Sequence, residues 1–404
     1  MRGDMGTDET NKEVAGEEIQ VDAKKWKPVL GLSDEKPDLE ALRARATVFD
    51  QPEPDQLMEL TVIVPARNEE DCIGNCLKSL VAQSEDVFKL GQDWELLVVN
   101  DGSTDRTKEV AQGFEGVIVL DAPKLEPGWT GKCNAVWTAA RRAKGKWLLF
   151  TDADTIHEPG NLHRAMHEAS RNKLGILSYS AKQLTTGWVQ RTIMPLIFSE
   201  LAMTYPYEKV SDPKERVAAA NGQFLLVERE AYRKIGGHKS VHDRVLEDVE
   251  LAMLAKKRKL GLRLRYAEEE ISTHMYRTTG AMIEGWTKNL ALLFGNPLAL
   301  AAWRALDFLL LFGLPLLAVK LWNAQLTTKS FAWLGVGWIL LIIWGRNLFR
   351  YYRRVAKSNF GFVDCALSPL GLPLFVWLLY RSWFQNRILK RVSWKGREYA
   401  GSGQ

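Results

Sequence analysis

The chain has 404 residues, is 46% hydrophobic with 15 Trp, and carries a formal net charge of +5 at pH 7. This length exceeds that of one small domain, and the apolar content requires either a large core or contact with lipid. Its basic residues crowd beside the apolar segments of the C-terminal region, which favours a membrane as the partner and not nucleic acid.

Residues 1–57 are polar, charged and poor in apolar periodicity, which predicts a disordered N-terminal segment. This segment lacks the charged and then apolar pattern of a signal sequence, so we expect the N-terminus to start and stay in the cytoplasm. The four cysteines show neither disulfide nor zinc-site spacing.

Short β-rich runs alternate with helical stretches from Leu60 to Lys182. The strand candidates are "LTVIVPA", "WELLVVND", "GVIVLDA" and "KWLLFTDAD", and a helical pattern follows each of them. Continuous apolar strands rich in Val, Ile and Leu are typical of a parallel sheet that is covered on both faces. The sequence therefore predicts a doubly wound α/β domain, whose ligands collect at the carboxyl ends of the strands.

The fourth strand ends in "FTDADT", where Asp152 and Asp154 lie two residues apart. At a strand tip this spacing places both carboxylates on one side, so a positive group is expected beside them. Two carboxylates without a neighbouring Cys or His suit a hard cation such as Mg²⁺ or Mn²⁺. His274, after a later strand, is a candidate further ligand, although a histidine there is more often a hydrogen-bonding residue.

The pattern after Lys182 predicts a helix over 188–207, a strand over 221–228 and a helix over 245–259. A last strand, "LRLRYAEEEIS", leads to His274. In "LEDVEL", Glu247 and Asp248 are adjacent, so on a helix they point about 100° apart and only one is expected to enter a site.

Two common nucleotide-binding motifs are absent from the sequence. The chain has no Walker A pattern, and the dinucleotide fingerprint is missing after the first strand, so a nucleotide must be held differently. The ordered set "VPARNEE", "VVNDGSTD", "GK" at 131–132, "TDAD", "NGQF" and "LEDVEL" resembles the family 2 glycosyltransferases with the GT-A fold. The resemblance covers about residues 58–290.

The resemblance implies a GT-A catalytic domain with a Rossmann-like, mostly parallel sheet, a nucleotide-diphosphate sugar donor such as a UDP-sugar, inverting transfer, and Mg²⁺ or Mn²⁺. It assigns Asp248 as the catalytic base and Asp154 to the metal. Donor-binding residues by this match are Pro65, Ala66, Arg67, Glu69, Asp101, Lys132 and Asp152. Acceptor-binding residues are Asn221, Gly222, Gln223, Glu247 and Trp286.

Residues 291–385 read as a membrane region. Segments 305–322 and 331–348 are each long enough to span a bilayer, and the basic run "RNLFRYYRRVAK" after them is expected on the cytoplasmic side with the catalytic domain. The third apolar stretch, 362–384, contains Pro369 and Pro373 and precedes a basic tail over 386–404. We expect it to be re-entrant, and a third span is the alternative.

Processive members of the family carry Q-x-x-R-W after the base, whereas this chain has "EGWTKNL", which keeps Trp286 but lacks Gln and Arg. This difference favours transfer of one sugar to a membrane-embedded hydroxyl. The stretch "MYRTTGAMIEGWTKNL" with "GWTGK" is similar to glycosyltransferases of carotenoid and hopanoid pathways, which implies a terpenoid acceptor. Polyprenyl-phosphate or glycolipid acceptors, a processive synthase and a non-catalytic nucleotide-sugar-binding protein are the alternatives.

Overall fold

The computed structural model describes residues 58–328, 332–394 and 397–400. The predicted disordered segment 1–57 lies outside the described residues. The strands are β1 (Met58–Ala66), β2 (Trp94–Asn100), β3 (Val117–Asp121), β4 (Gly145–Phe150), β5 (Thr155–His157), β6 (Ile176–Ser180), β7 (Lys182–Gln183), β8 (Leu225–Glu228), β9 (Leu262–Tyr266), β10 (Ile271–Thr273), β11 (Arg391–Trp394) and β12 (Arg397–Ala400).

The α-helices of the α/β part are α1 (Ile73–Val81), α2 (Thr107–Gln112), α3 (Gly131–Ala140), α4 (Asn161–Arg171), α5 (Gly187–Thr204), α6 (Tyr207–Ser211), α7 (Arg229–Ile235), α8 (Glu247–Lys257) and α9 (Thr279–Leu293). The helices that follow are α10 (Pro297–Phe308), α11 (Leu314–Thr328), α12 (Ala332–Val355), α13 (Phe362–Leu367) and α14 (Leu372–Trp383). Short 3₁₀ or π turns connect several of them.

A seven-stranded sheet with the order β3-β2-β1-β4-β8-β6-β9 forms the centre of the α/β part. The pairs β3-β2, β2-β1, β1-β4 and β6-β9 are parallel, and β8 runs antiparallel to both of its neighbours. A smaller sheet has the order β5-β10-β7. The predicted α/β fold with a mostly parallel sheet is confirmed.

Apolar side chains cover both faces of the large sheet. Alternate residues of β1 enter different clusters: Leu60, Val62 and Val64 pack with α1 and α4, whereas Ile63 packs with α3, α7 and α8. Burial on both faces explains why the strands read as continuous apolar runs and not as alternating ones.

Several element boundaries differ from the predictions; the predicted strand over 221–228, for example, begins at Leu225. The predicted last strand is divided into β9 and β10, because Glu270 and Ile271 donate backbone hydrogen bonds to Ala267 O and form a turn at the acidic run. The predicted helix over 188–207 ends at Thr204, and Pro206 precedes the separate helix α6. A residue before proline is disfavoured in the helical conformation, which explains the break.

Two helical stretches of 28 residues each, Pro297–Ala324 and Phe362–Leu389, are long and apolar enough to cross a membrane. The predicted span 331–348 lies largely within α12. The helical course continues past Pro369 and Pro373, because each proline lies in the first turn of its segment, where its missing N–H is tolerated. The re-entrant path of 362–384 stays a prediction.

A third apolar cluster joins the α/β part to the C-terminal helices. It contains Ile193 and Ile197 of α5, Leu290 of α9, and Phe375 and Leu379 of α14, all completely buried. The C-terminal helices therefore pack directly on the α/β part of the chain.

Candidate active site

The site lies where β1, β2 and β4 end at the same edge of the sheet. Ala66, the last residue of β1, pairs with Asn100, the last residue of β2, and Ile63 pairs with Phe150, which ends β4. The residues that follow these strand ends are therefore brought together, as parallel strands require.

The loops after β1 and β2 are tied to each other. Arg67 Nη1 donates to the backbone oxygen of Asp101 at 2.8 Å, and the Asp101 N–H donates to Ala66 O at 2.9 Å. The Glu69 N–H donates to Thr107 Oγ1 at 2.8 Å. Four of the predicted donor-binding residues, Ala66, Arg67, Glu69 and Asp101, thus belong to one hydrogen-bonded pair of loops.

Lys132 connects two acidic residues of the site. It lies in the first turn of α3, which the Thr130 side chain caps by accepting a hydrogen bond from the Cys133 N–H. Its Nζ lies 2.8 Å from Asp152 Oδ1 and 2.9 Å from Glu247 Oε1. Burial lowers the pKa of Lys132, but the nearby carboxylates act more strongly and raise this pKa well above its usual value. The positive group predicted beside Asp152 is therefore Lys132.

Glu247 and Asp248 occupy the first turn of α8 and line the same small cavity, together with Pro65, Lys132 and Asp152. The expectation that only one of the two acids enters the site is wrong. Helical geometry separates their Cβ atoms, but the longer Glu247 side chain reaches across to Lys132. Asp248 Oδ2 instead accepts from the Gly222 N–H at 2.7 Å.

Gly222 approaches this cluster closely. A Cβ atom at this position would lie 2.9 Å from Lys132 Nζ, 3.4 Å from Asp248 Oδ2 and 3.8 Å from Glu247 Oε1. A side chain here would push against the charged groups, so glycine allows the backbone N–H to contact the Asp248 carboxylate directly.

The environment of Asp248 disfavours its charged form. Burial and the neighbouring Glu247 carboxylate raise the pKa of Asp248 to about 7, although Lys132 and the N–H groups of Val249 and Gly222 act in the opposite direction. A carboxylate with a pKa near neutrality can accept a proton and release it again under physiological conditions.

Asp152 and Asp154 lie in the loop between β4 and β5, after the strand has ended. Their neighbours differ in part: Asp152 pairs with Lys132, whereas the charge of Asp154 acts on Cys72 and Tyr276.

Asp154 and His274 are brought near each other by the pairing of β5 with β10. Thr155 pairs with Thr273, and Thr273 Oγ1 donates to Asp154 O at 3.2 Å. Among the described residues, no group of three or more His, Cys, Asp and Glu side chains could hold a metal ion. Two protein ligands still fit Mg²⁺ or Mn²⁺, which often binds through one or two carboxylates and completes its shell with phosphate oxygens and water.

The predicted acceptor residues separate into two groups. Asn221 Nδ2 donates to Gln223 Oε1 at 3.1 Å, and Gly222 between them contacts Asp248. Trp286 lies elsewhere: its side chain is 3% exposed, and its indole N–H points to Met194 Sδ at 3.4 Å. The structure thus places Trp286 in the apolar cluster and not on the cavity wall.

Two residues near the cavity were missed by the sequence analysis. Burial lowers the pKa of Lys288 to about 8, while Glu247, Asp152 and Asp248 act to raise it and Lys132 to lower it. His238 lines the cavity, hydrogen-bonds Tyr232 Oη at 2.7 Å, and has a pKa lowered to about 3 by burial and Lys132. One signal in the sequence pointed to Lys288, its position two residues after Trp286, and none pointed to His238.

Residues 61–236 match the family model for glycosyl transferase family 2. The 4,4'-diaponeurosporenoate glycosyltransferase of Staphylococcus aureus strain USA300 is 25% identical over 349 residues, which cover 84% of this chain and 88% of that protein. The matching protein of the bovine strain RF122 / ET3-1 is 26% identical over 348 residues, with the same coverage.

Among solved structures, a mannosyltransferase from Pyrobaculum calidifontis in complex with GDP-Man and Mn²⁺ is 16% identical, with a TM-score of 0.43. The alignment covers 87% of this chain and 95% of that one. The family match ends before Glu247 and Asp248, so the roles of these two acids rest on their contacts. By its motifs, its sheet and this match, the segment 61–236 is similar to glycosyl transferase family 2.

Proposed function

We propose that the chain transfers a single sugar, with inversion, from a nucleotide-diphosphate sugar to a terpenoid lipid acceptor at a membrane. The observation that carries this proposal is the carboxylate of Asp248. Gly222 holds it in the same cavity as Lys132 and Asp152, and its pKa is about 7.

Asp248 acts as the general base in this proposal. Its carboxylate takes the proton of the acceptor hydroxyl while that oxygen forms a bond to the anomeric carbon of the sugar. The bond from the anomeric carbon to the diphosphate breaks, and its electron pair leaves with the nucleoside diphosphate. Glu247 has a different role, because its carboxylate holds Lys132.

Lys132 orients the donor from the other side of the cavity. Its ammonium group is fixed between Asp152 and Glu247, so it is positioned before the substrate arrives. Asp154 and His274 would hold Mg²⁺ or Mn²⁺ together with diphosphate oxygens, and such an ion stabilises the negative charge of the leaving group. Pro65, Ala66, Arg67, Glu69 and Asp101 are proposed for the nucleoside.

A membrane acceptor is supported by the two long apolar helices, which pack against the domain of the site. The basic run at 346–357 favours an orientation with this domain on the cytoplasmic face of the membrane. The S. aureus relatives are named for 4,4'-diaponeurosporenoate. We extend this acceptor class to the present chain as a carotenoid-type terpenoid.

The proposal is tested by incubating the purified full chain in lipid vesicles with Mn²⁺, a panel of UDP- and GDP-sugars, and hydroxylated terpenoids. We expect mass spectrometry to detect one added hexose on the terpenoid with one donor of the panel. Long sugar polymers would support a processive synthase instead, and the absence of any sugar-lipid product with every donor would refute the proposal.

A further inference from the structure

A second pocket, of about 630 Å³, lies between the small sheet and the C-terminal helices. Its wall includes Lys182 and Gln183 of β7, Trp188 and Arg191 of α5, His274 after β10, and Asp364 of α13. This volume is in the range of sites that bind small molecules. None of the roles proposed above uses the pocket as a whole.

The charges of the wall are predominantly positive. Arg191 Nε and Asp364 Oδ1 are 2.6 Å apart, so these two residues neutralise each other. The ammonium group of Lys182 remains, and among the described residues that line the pocket Asp364 is the one carboxylate. No described carboxylate forms an ion pair with Lys182. An anionic group is therefore the complementary ligand.

Two exposed aromatic side chains lie in the pocket wall or directly after it in the chain. Trp188 is 70% exposed, and Phe362, which follows the pocket residue Gly361, is 87% exposed. Phe362 also begins the second of the two long apolar helical stretches. A molecule that fits both parts of this surface has an anionic group and an apolar body.

A chain of contacts connects the pocket to the proposed base. Gln183, on the pocket wall, donates from Nε2 to Gln223 Oε1 at 3.1 Å. Gln223 directly follows Gly222, whose N–H contacts Asp248. Gln183, Gln223 and Gly222 thus connect the wall of the pocket to Asp248.

We propose that this pocket binds an anionic group, carboxylate or phosphate, on the lipid acceptor and so places the reacting hydroxyl beside Asp248. The inference rests on the proposed function, because it assigns the charge of that same acceptor. Lys182 is the residue that selects the anion. It acts on binding and takes no part in the transfer of the proton.

The test compares binding of three lipids with the same chain, hexadecanoate, hexadecyl phosphate and hexadecanol, to the full chain in a neutral detergent by calorimetry. We expect Lys182→Met to weaken binding of the anionic lipids roughly fivefold, the upper range for one exposed ion pair, without changing hexadecanol binding. Lys146→Met is the matched control, because Lys146 is an exposed lysine at the N-terminal end of β4, whereas the site lies beyond the C-terminal end of that strand. This variant should leave all three affinities unchanged.

Comparison of the three lipids identifies the chemical class of the ligand. Tighter binding of hexadecanoate than of hexadecyl phosphate assigns the pocket to carboxylic acids, and the reverse assigns it to lipid phosphates; inorganic phosphate should compete only in the second case. Equal binding of alcohol and anions by the wild-type chain, or equal losses in Lys182→Met and Lys146→Met, would overturn the inference. Because these measurements need no donor, they are independent of whether sugar transfer is detected.

Discussion

Asp248 is the residue whose protonation state should control the rate most directly. Burial and Glu247 raise the pKa of its carboxyl group to about 7, so below neutrality most molecules carry a protonated Asp248 that cannot accept a proton. We expect kcat/KM to fall about tenfold per pH unit below pH 7 and to level off above it. The measurement is kcat/KM from about pH 5.5 to about pH 8.5, with binding of the donor followed in parallel. A rate that is independent of pH over this range would contradict the assignment of the base.

Residue motifs predicted the acidic pair at the start of α8, the carboxylates after β4, and Lys132. They did not predict that Glu247 and Asp248 share a cavity, because the outcome depends on Lys132, more than a hundred positions earlier in the chain. Trp286 was selected by its place in a motif, but its burial depends on Met194 and other distant residues. Side-chain contacts between distant segments are set by tertiary packing, which periodicity does not report.

At the scale of elements, a buried ionic cluster links three helices. Arg304 of α10 lies 3.0 Å from both Glu200 of α5 and Asp307, and Arg354 of α12 lies 2.7 Å from Asp307. The side chains of Arg304 and Glu200 are 11% and 9% exposed. The sequence did not reveal this cluster, because Glu200 and Arg304 are far apart in the chain.

Removing one charge from this cluster should destabilise the packing of the helices. Arg304→Met leaves two carboxylates with one arginine, and breaking such a buried pair costs about 3–5 kcal/mol. We expect a lower Tm in detergent for Arg304→Met. The double variant Glu200→Gln, Arg304→Met keeps the charges balanced and should recover part of the loss. Equal or greater destabilisation in the double variant would show that charge balance is not the cause.

Element types were predictable where apolar residues form a continuous run, as in β1, β2 and β4. The division between β9 and β10 was not predictable, because the acidic run between them resembles part of a strand in the sequence. The structure shows that Glu270 of this run is buried, 2.7 Å from Arg164. The turn between β9 and β10 brings the Glu270 carboxylate to Arg164, and this ion pair compensates for the burial of the carboxylate.

At the scale of the whole molecule, the domain of the site and the C-terminal helices share one apolar cluster. A chain truncated after Asn296 would expose buried side chains of α5 and α9, including Ile193, Ile197 and Leu290. We expect this truncated chain to aggregate without detergent and to bind nucleotide in detergent, because the loops after β1 and β2 are retained. Size-exclusion chromatography and calorimetry check both points. A monodisperse truncated chain in plain buffer would show that the shared cluster is not needed to cover this surface.

If Asp248 removes the proton of the acceptor while Glu247 holds Lys132, the turnover of Asp248→Asn should show it most directly. The asparagine keeps the shape and can still accept from the Gly222 N–H, but it cannot take the proton. We predict a fall in kcat of about 10²–10⁴-fold with donor affinity near that of the wild type. Glu247→Gln, the matched amide variant, should retain most of its kcat and bind the donor more weakly. Near wild-type turnover in Asp248→Asn, or loss of turnover only in Glu247→Gln, would contradict the account.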